Sequence, residues 1–280
     1  MSSLKLGSTS ITNAKLGSTQ VSKIYQGTNL IWENSPSDPY LKVWVDAGNA
    51  SSYSGTGTTW YDLSGNGNNL TLAGSPSYDA TTGSFYFPNS TSVYASNTSM
   101  TGTSVPSGTD CTLEIWHRYK GPVDNTYYSP FEWGIRNDPN YDLGGFYAAW
   151  VDSGFNGYAL ESQYGGIRLQ YNLPAYGSTA YWNKTTGYNV WIQHVMVRQS
   201  NGTALLYINN SLIASVGSFY NGAINQSTKL YVGTNNPANP FGGSLPYYGD
   251  VAIVKIWNGK ALNSTEIASN WNASKARFGH

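Results

Sequence analysis

Between Gly187 and Ser218 the sequence reads GYNVWIQHVMVRQSNGTALLYINNSLIASVGS, and few folds can hold it. In its first part Trp191, Gln193, Val195 and Val197 share one face, and Val190, Ile192, His194, Met196 and Arg198 the other, the two-residue period of a β-strand. Asn201-Gly202 predicts a two-residue hairpin turn, because both residue types tolerate positive φ. A second strand, Thr203 to Ile208, then meets another turn pair, Asn209-Asn210, and Leu212 to Val216 runs back. Both faces of the first two strands carry apolar residues, which places this antiparallel meander in the middle of a sandwich and not at its rim.

The rest of the composition fits an all-β chain. Of 280 residues only 11% are charged, and 15 Lys and Arg balance 15 Asp and Glu. A neutral chain has no field to hold nucleic acid or an anionic membrane, so neither is an expected partner. The 23 tyrosines, 10 tryptophans and 31 glycines suit a surface that binds a neutral, hydroxyl-rich ligand, since rings cover C–H surfaces and amides satisfy hydroxyls. They equally suit strands, where aromatics are favoured. The one cysteine, Cys111, rules out a disulfide framework and a multi-thiolate metal cluster. The start of the chain shows no apolar leader, and no run of about 18 apolar residues occurs, so synthesis in a cytoplasm without membrane insertion is expected.

Residues 1 to 33 repeat themselves: LKLGSTSITN, AKLGSTQVSK, IYQGTNLIWE. Gly7, Gly17 and Gly27 mark the period, and Ile11, Val21 and Ile31 follow each in the same place. Short strands punctuated by glycine turns are expected, too small to bury a core alone. The segment therefore reads as an anchor that packs on another chain, or as a hairpin appended to the main domain. Asn34 to Pro39 is a linker by composition, which sets two domains, 1–39 and 40–280.

In the second domain, Trp60 to Leu70 (WYDLSGNGNNL) gathers side-chain oxygens from Asp62, Asn66 and Asn68 on a bend made tight by Gly65 and Gly67. Hard cations take such mixtures, so calcium is the candidate cofactor; the same groups can instead bond the loop's own backbone. Strands are expected at Leu41–Asp46, Ser84–Phe87, Ser92–Ala95 and Cys111–Tyr119. Between Thr126 and Tyr171 aromatics exceed what four further strands need. Those rings either fill the sheets or stand on loops facing a ligand; the candidate binding residues are Tyr128, Trp133, Tyr141, Tyr147, Trp150 and Tyr158. One helix is expected from Asn263 to about Asn272, with Asn263 and Glu266 as a capping box and Leu262 and Ile267 as a hydrophobic staple.

Five segments in order resemble the laminin-G-like branch of the concanavalin A-like lectin/glucanase superfamily: WYDLSGNGNNLTL at Trp60–Leu72, TLEIWHRYKG at Thr112–Gly121, WIQHVMV and ALLYINNSLI within Trp191–Ile213, LYVGT at Leu230–Thr234, and GDVAIVKIWNGKALNSTEI at Gly249–Ile267. The glycine repeat, the opening Val45-Asp46-Ala47-Gly48-Asn49 and the ending NWNASKARFGH look like those of bacteriophage virion proteins. The resemblance implies an antiparallel jelly-roll sandwich of two sheets, with the repeat appended at its N-terminus and a short helix at its C-terminus. It does not imply an activity, because the fold hosts lectins, hydrolases and adhesion modules alike.

Catalysis is not expected. The superfamily's glucanases set their carboxylates along one strand as Glu-x-Asp-x-x-Glu; here Glu114 shares its face with Trp116 and Arg118, and Glu132 and Glu161 stand alone. His117, His194 and His280 have no nucleophile or carboxylate at motif spacing, and His194 reads as a packed sheet residue. The expected function is that of a phage virion protein, a tail or fibre adhesin. It would join other virion proteins through residues 1–39, assemble as a homo-oligomer and bind a host cell-surface polysaccharide by multivalency. A purely structural capsid or tail decoration protein and a polysaccharide depolymerase are the alternatives.

Overall fold

The computed structural model describes residues 38–121, 129–134, 189–217, 223, 228–235, 237 and 246–280, together with the backbone of strands lying within 5–33 and 145–171. The chain divides into two compact units, Met1–Pro39 and Tyr40–His280.

The first unit holds three hairpins. β1 (Lys5–Leu6) pairs with β2 (Thr9–Ser10), β3 (Ala14–Leu16) with β4 (Thr19–Val21), and β5 (Lys23–Gln26) with β6 (Asn29–Glu33). Leu6 faces Thr9 and Leu16 faces Thr19, so the ten-residue sequence period is a structural one. Among the described residues each hairpin is a separate two-stranded sheet.

The second unit continues with β7 (Leu41–Asp46), β8 (Thr59–Trp60), β9 (Leu70–Ala73), β10 (Ser77–Asp79), β11 (Ser84–Pro88), β12 (Tyr94–Asn97), β13 (Cys111–Tyr119), β14 (Phe131–Gly134), β15 (Gly145–Ala149), β16 (Tyr158–Glu161) and β17 (Ile167–Tyr171). After these come β18 (Trp191–Arg198), β19 (Ala204–Ile208), β20 (Ser211–Val216), β21 (Leu230–Val232) and β22 (Tyr248–Asn258), then helix α1 (Ser264–Ser274) and a 3-10 turn, Lys275–Phe278. One eight-stranded sheet runs β10-β11-β22-β13-β18-β19-β20, with β7 also on β22; the other runs β16-β17-β15-β14-β21-β12-β9-β8. Among the described residues every strand pair is antiparallel except β15 with β17, which is parallel. The two sheets share one core: Val43, Phe85, Leu113, Ile115, Ile192, Met196 and Val254 from the first meet Trp60, Leu72, Ala95, Phe131, Trp133, Leu230 and Val232 from the second. The fold is an all-β sandwich with one short C-terminal helix.

The meander stands elsewhere than expected. β20 forms the rim of the first sheet, and β22, flanked by β13 on one side and by β11 and β7 on the other, is its centre. The apolar outer face of β18 has a different cause: Val195 and Val197 pack with Trp257, Leu262 and Ile267, so the helix, not a third layer of strands, covers that face. The first turn also differs. Arg198 faces Ala204 and Gln199 N–H donates to the Thr203 carbonyl, leaving Ser200-Asn201-Gly202 as a three-residue loop with Gly202 at φ 81°, the glycine-ended alternative to a two-residue turn. The second turn is as expected, with Asn209 and Asn210 both at positive φ.

Helix α1 begins as its sequence indicates. The Asn263 side chain accepts from Thr265 and Glu266 N–H, and the Glu266 carboxylate accepts from Asn263 N–H at 2.9 Å. Leu262 and Ile267 are buried together.

Candidate ligand-binding surfaces

The aromatic region chosen from sequence is only partly within view. Tyr128, Tyr141 and Trp150 lie outside the described residues, and of Tyr147 on β15 and Tyr158 on β16 the strand backbone alone is described. Trp133 is a correction: at 0% exposure it belongs to the shared core, because alternation along β14 turns Phe131 and Trp133 inward and Glu132 outward. A ring with no accessible face cannot stack on a sugar.

Register then defines what the outer face of the second sheet presents. Ser96 on β12 faces Tyr231 on β21, Tyr231 faces Glu132 on β14, and Glu132 faces Tyr147 on β15. Tyr94 packs edge-on against Tyr231, with ring centroids 6.1 Å apart. Glu132 is 4% exposed. Burial first, then the negative charge of Glu132, raises the Tyr231 hydroxyl above its ordinary pKa. The row is therefore a neutral phenol beside a carboxylate, and both are buried, Tyr231 at 8% exposure.

The Asp62 loop is completed by its own chain. Asp62 Oδ1 accepts from Trp44 N–H and Ser64 N–H at 2.9 Å, and Oδ2 accepts from the Ser64 hydroxyl at 2.7 Å and Asn68 N–H at 3.0 Å. Asn66 Nδ2 donates to the Leu41 carbonyl, Asn68 Nδ2 to the carbonyls of Lys42 and Thr101, and Asn68 Oδ1 accepts from Thr101 N–H. The loop thus sews β7 to the segment around Thr101. The oxygens of Asp62 and Asn68 that calcium would need are already accepting hydrogen bonds. Among the described residues no group of three or more His, Cys, Asp or Glu side chains is placed to hold a metal ion.

Two polar constellations lie inside or under the first sheet. Facing the core, His117 Nδ1 bonds the Tyr247 hydroxyl at 2.7 Å and His117 Nε2 bonds His194 Nδ1 at 2.6 Å. Burial holds both imidazoles neutral: His117 drops to about 3, and His194 falls well below its ordinary value, its neighbour adding repulsion. Under the helix, Glu114 accepts from Gln193 Nε2 and Trp116 Nε1 through one oxygen and from Asn270 Nδ2 through the other, with Lys255 Nζ at 3.7 Å. The ionisable groups of both constellations, His117, His194, Tyr247, Glu114 and Lys255, are buried, which is a poor place from which to exchange a proton with a substrate.

Sequence reading missed a third constellation, on the outer face of the first sheet. Tyr86 on β11, Asp250 on β22, Arg118 on β13 and Trp191 on β18 occupy one cross-strand row, with Lys120 and Tyr248 beside them. They are scattered over more than a hundred residues of sequence, and no local motif joins them.

No family model matches the sequence, and no curated protein matches it either. Solved structures do. The binding domain of botulinum neurotoxin DC in complex with SialylT aligns with a TM-score of 0.58 at 14% identity, over 85% of this chain and 52% of that one. A botulinum neurotoxin type C structure, whose cell entry depends on interaction with two ganglioside molecules, aligns at 0.52 and 14%, over 84% and 51%. The binding domain of Paraclostridial Mosquitocidal Protein 1 aligns at 0.55 and 13%, over 84% and 52%. The chain spans about half the length of each. At such identity the likeness is one of fold.

Proposed function

We propose that this chain is a non-enzymatic bacteriophage virion protein, a tail- or fibre-type adhesin that binds a host surface glycan. The observation that carries the reading is the union of two units in one chain. A sandwich over Tyr40–His280 shares its fold with half of several binding domains, and among these neighbours one is seen with SialylT and another depends for cell entry on interaction with two ganglioside molecules. Three separate hairpins precede it. Two-stranded sheets are marginal by themselves, and their unpaired edges invite strands from other chains. They suit an anchor to other virion proteins or between copies of this chain, assembled in the host cytoplasm. Several copies on one particle would turn weak single-site binding into firm attachment.

A non-catalytic role fits the carboxylates of the first sheet. Glu114 is sealed beneath the helix and Asp250 is locked between two cations, whereas glycoside hydrolysis needs two carboxyl groups facing one cleft.

The test combines location and binding. Cryo-electron microscopy of the intact virion should place the chain at a tail tip or fibre end, and the purified full chain should bind host envelope polysaccharide without releasing shorter products. Copies tiled over the capsid or tail tube, with no polysaccharide bound, would make it a decoration protein. Product release would make it a depolymerase.

A further inference from the structure

We infer that the outer face of the first sheet carries an acidic-sugar site, in which Arg118 and Lys120 take the carboxylate of a saccharide and Tyr86 and Tyr248 line its ring. The inference rests on the adhesin reading and gives that reading a ligand class.

Asp250 is the pivot. It is 2% exposed and accepts from Arg118 Nε at 2.7 Å and from Lys120 Nζ at 2.9 and 3.2 Å. One buried carboxylate thus holds two cations. The negative partner is inside and the positive ends reach water, with side-chain exposures of 19% for Arg118 and 32% for Lys120.

Arg118 is also pre-oriented. Its guanidinium lies over the Trp191 ring at 4.9 Å, and it meets Asp250 through Nε. Among the described residues its two terminal nitrogens carry no hydrogen bond, which leaves the fork edge that matches a carboxylate in two-point contact. Lys120 Nζ sits 5.4 Å from the Tyr86 ring centre, and the Tyr86 and Tyr248 rings are tilted against each other at 6.2 Å. Both rings are half-buried, so each keeps some surface for the C–H face of a pyranose. Burial first, then hydrogen bonding to Tyr248 and the nearby charge of Asp250, pushes the Tyr86 hydroxyl up to about 12, so it stays a neutral donor. A bare phosphate would be served by the two cations alone; the paired rings point to a ligand that is flat-faced as well as anionic.

The experiment titrates the full chain with oligosaccharides ending in N-acetylneuraminic or glucuronic acid, with the same sugars as neutral methyl esters, and with inorganic phosphate. The acidic sugars should bind at least about tenfold more tightly than their esters, and Arg118→Lys, which keeps the ion pair to Asp250 but loses the fork, should weaken them by about tenfold. Lys120→Gln, at the more exposed cation, should do the same while keeping the circular dichroism spectrum of the folded chain, and keeps the test alive if Arg118→Lys fails to fold. Equal binding of acidic sugars by wild type and both variants overturns the site. Phosphate competing as strongly as the sugars overturns the ligand class. Binding of neutral host polysaccharide alone, unaffected by either variant, overturns this inference and leaves the adhesin reading standing. No binding to any glycan, host polysaccharide included, removes both.

Discussion

Glu114 illustrates how this protein uses buried charge. Its carboxylate is wholly enclosed and reaches Gln193, Trp116, Asn270 and Lys255, drawn from three strands and the helix. Glu114→Ala should destabilise the fold by about 3 kcal/mol in urea unfolding, because it strands the buried ammonium of Lys255 and the amides left behind. The histidine pair makes the opposite statement. Unfolded imidazoles take up protons near pH 6.5, whereas His117 in the fold resists protonation down to about 3 and His194 is likewise depressed. The unfolded state therefore binds more protons between those limits, and stability is complete above pH 6.5 and falls as the pH drops through the window. For His117 alone the loss should approach about 1.4 kcal/mol per pH unit between pH 6 and 4; His194 should steepen it, so His194→Gln should lower the slope. Residues of this kind were only half legible. The two-residue period of the strands assigned each to a face, but not which face met the core. Trp133 was therefore offered to a ligand when it fills the interior, and Arg118, Asp250 and Tyr86 became neighbours only once strands distant in sequence were laid side by side.

At the scale of elements, local chemistry was read best where it acts locally. The capping box at Asn263 and the paired asparagines at 209–210 need only adjacent residues, and both stand where the sequence put them. The loop around Asn201 needed knowledge of how far its strands would pair, and it closes one residue longer than expected. β8, β9 and β10 are two to four residues long, too short for a period to emerge. The Asp62 loop shows how one carboxylate can organise backbone through four hydrogen bonds. Asp62→Ala should lower stability by about 2–3 kcal/mol, since hydrogen bonds to a charged acceptor are the strong ones, while the unfolding temperature of the wild type should be the same in a calcium chelator as in added calcium. A clear rise with calcium would mean that the ion displaces the hydrogen bonds now made to Asp62.

For the whole molecule, the division at Pro39 and Tyr40 leads to a test of its own. Residues 40–280 expressed alone should unfold in one cooperative step and run as a monomer in sedimentation, whereas the full chain should run as an oligomer through its hairpins. A monomeric full chain would leave the hairpins to a different partner protein. The order of the first sheet has one more consequence. Its central strand, β22, comes after every other described strand, yet β7, β11 and β13 all pair with it, and Arg277 beyond it donates to Asp46 and to the carbonyls of Thr82 and Gly83. As the ribosome releases this protein, β7 meets its sheet partner among the described residues only when β22, about 200 residues further on, has emerged, and β11 and β13 wait for the same strand on one side. Such distant pairings are slow to close, and the half-made chain must stay apart from its sister chains in the meantime, open edges and all.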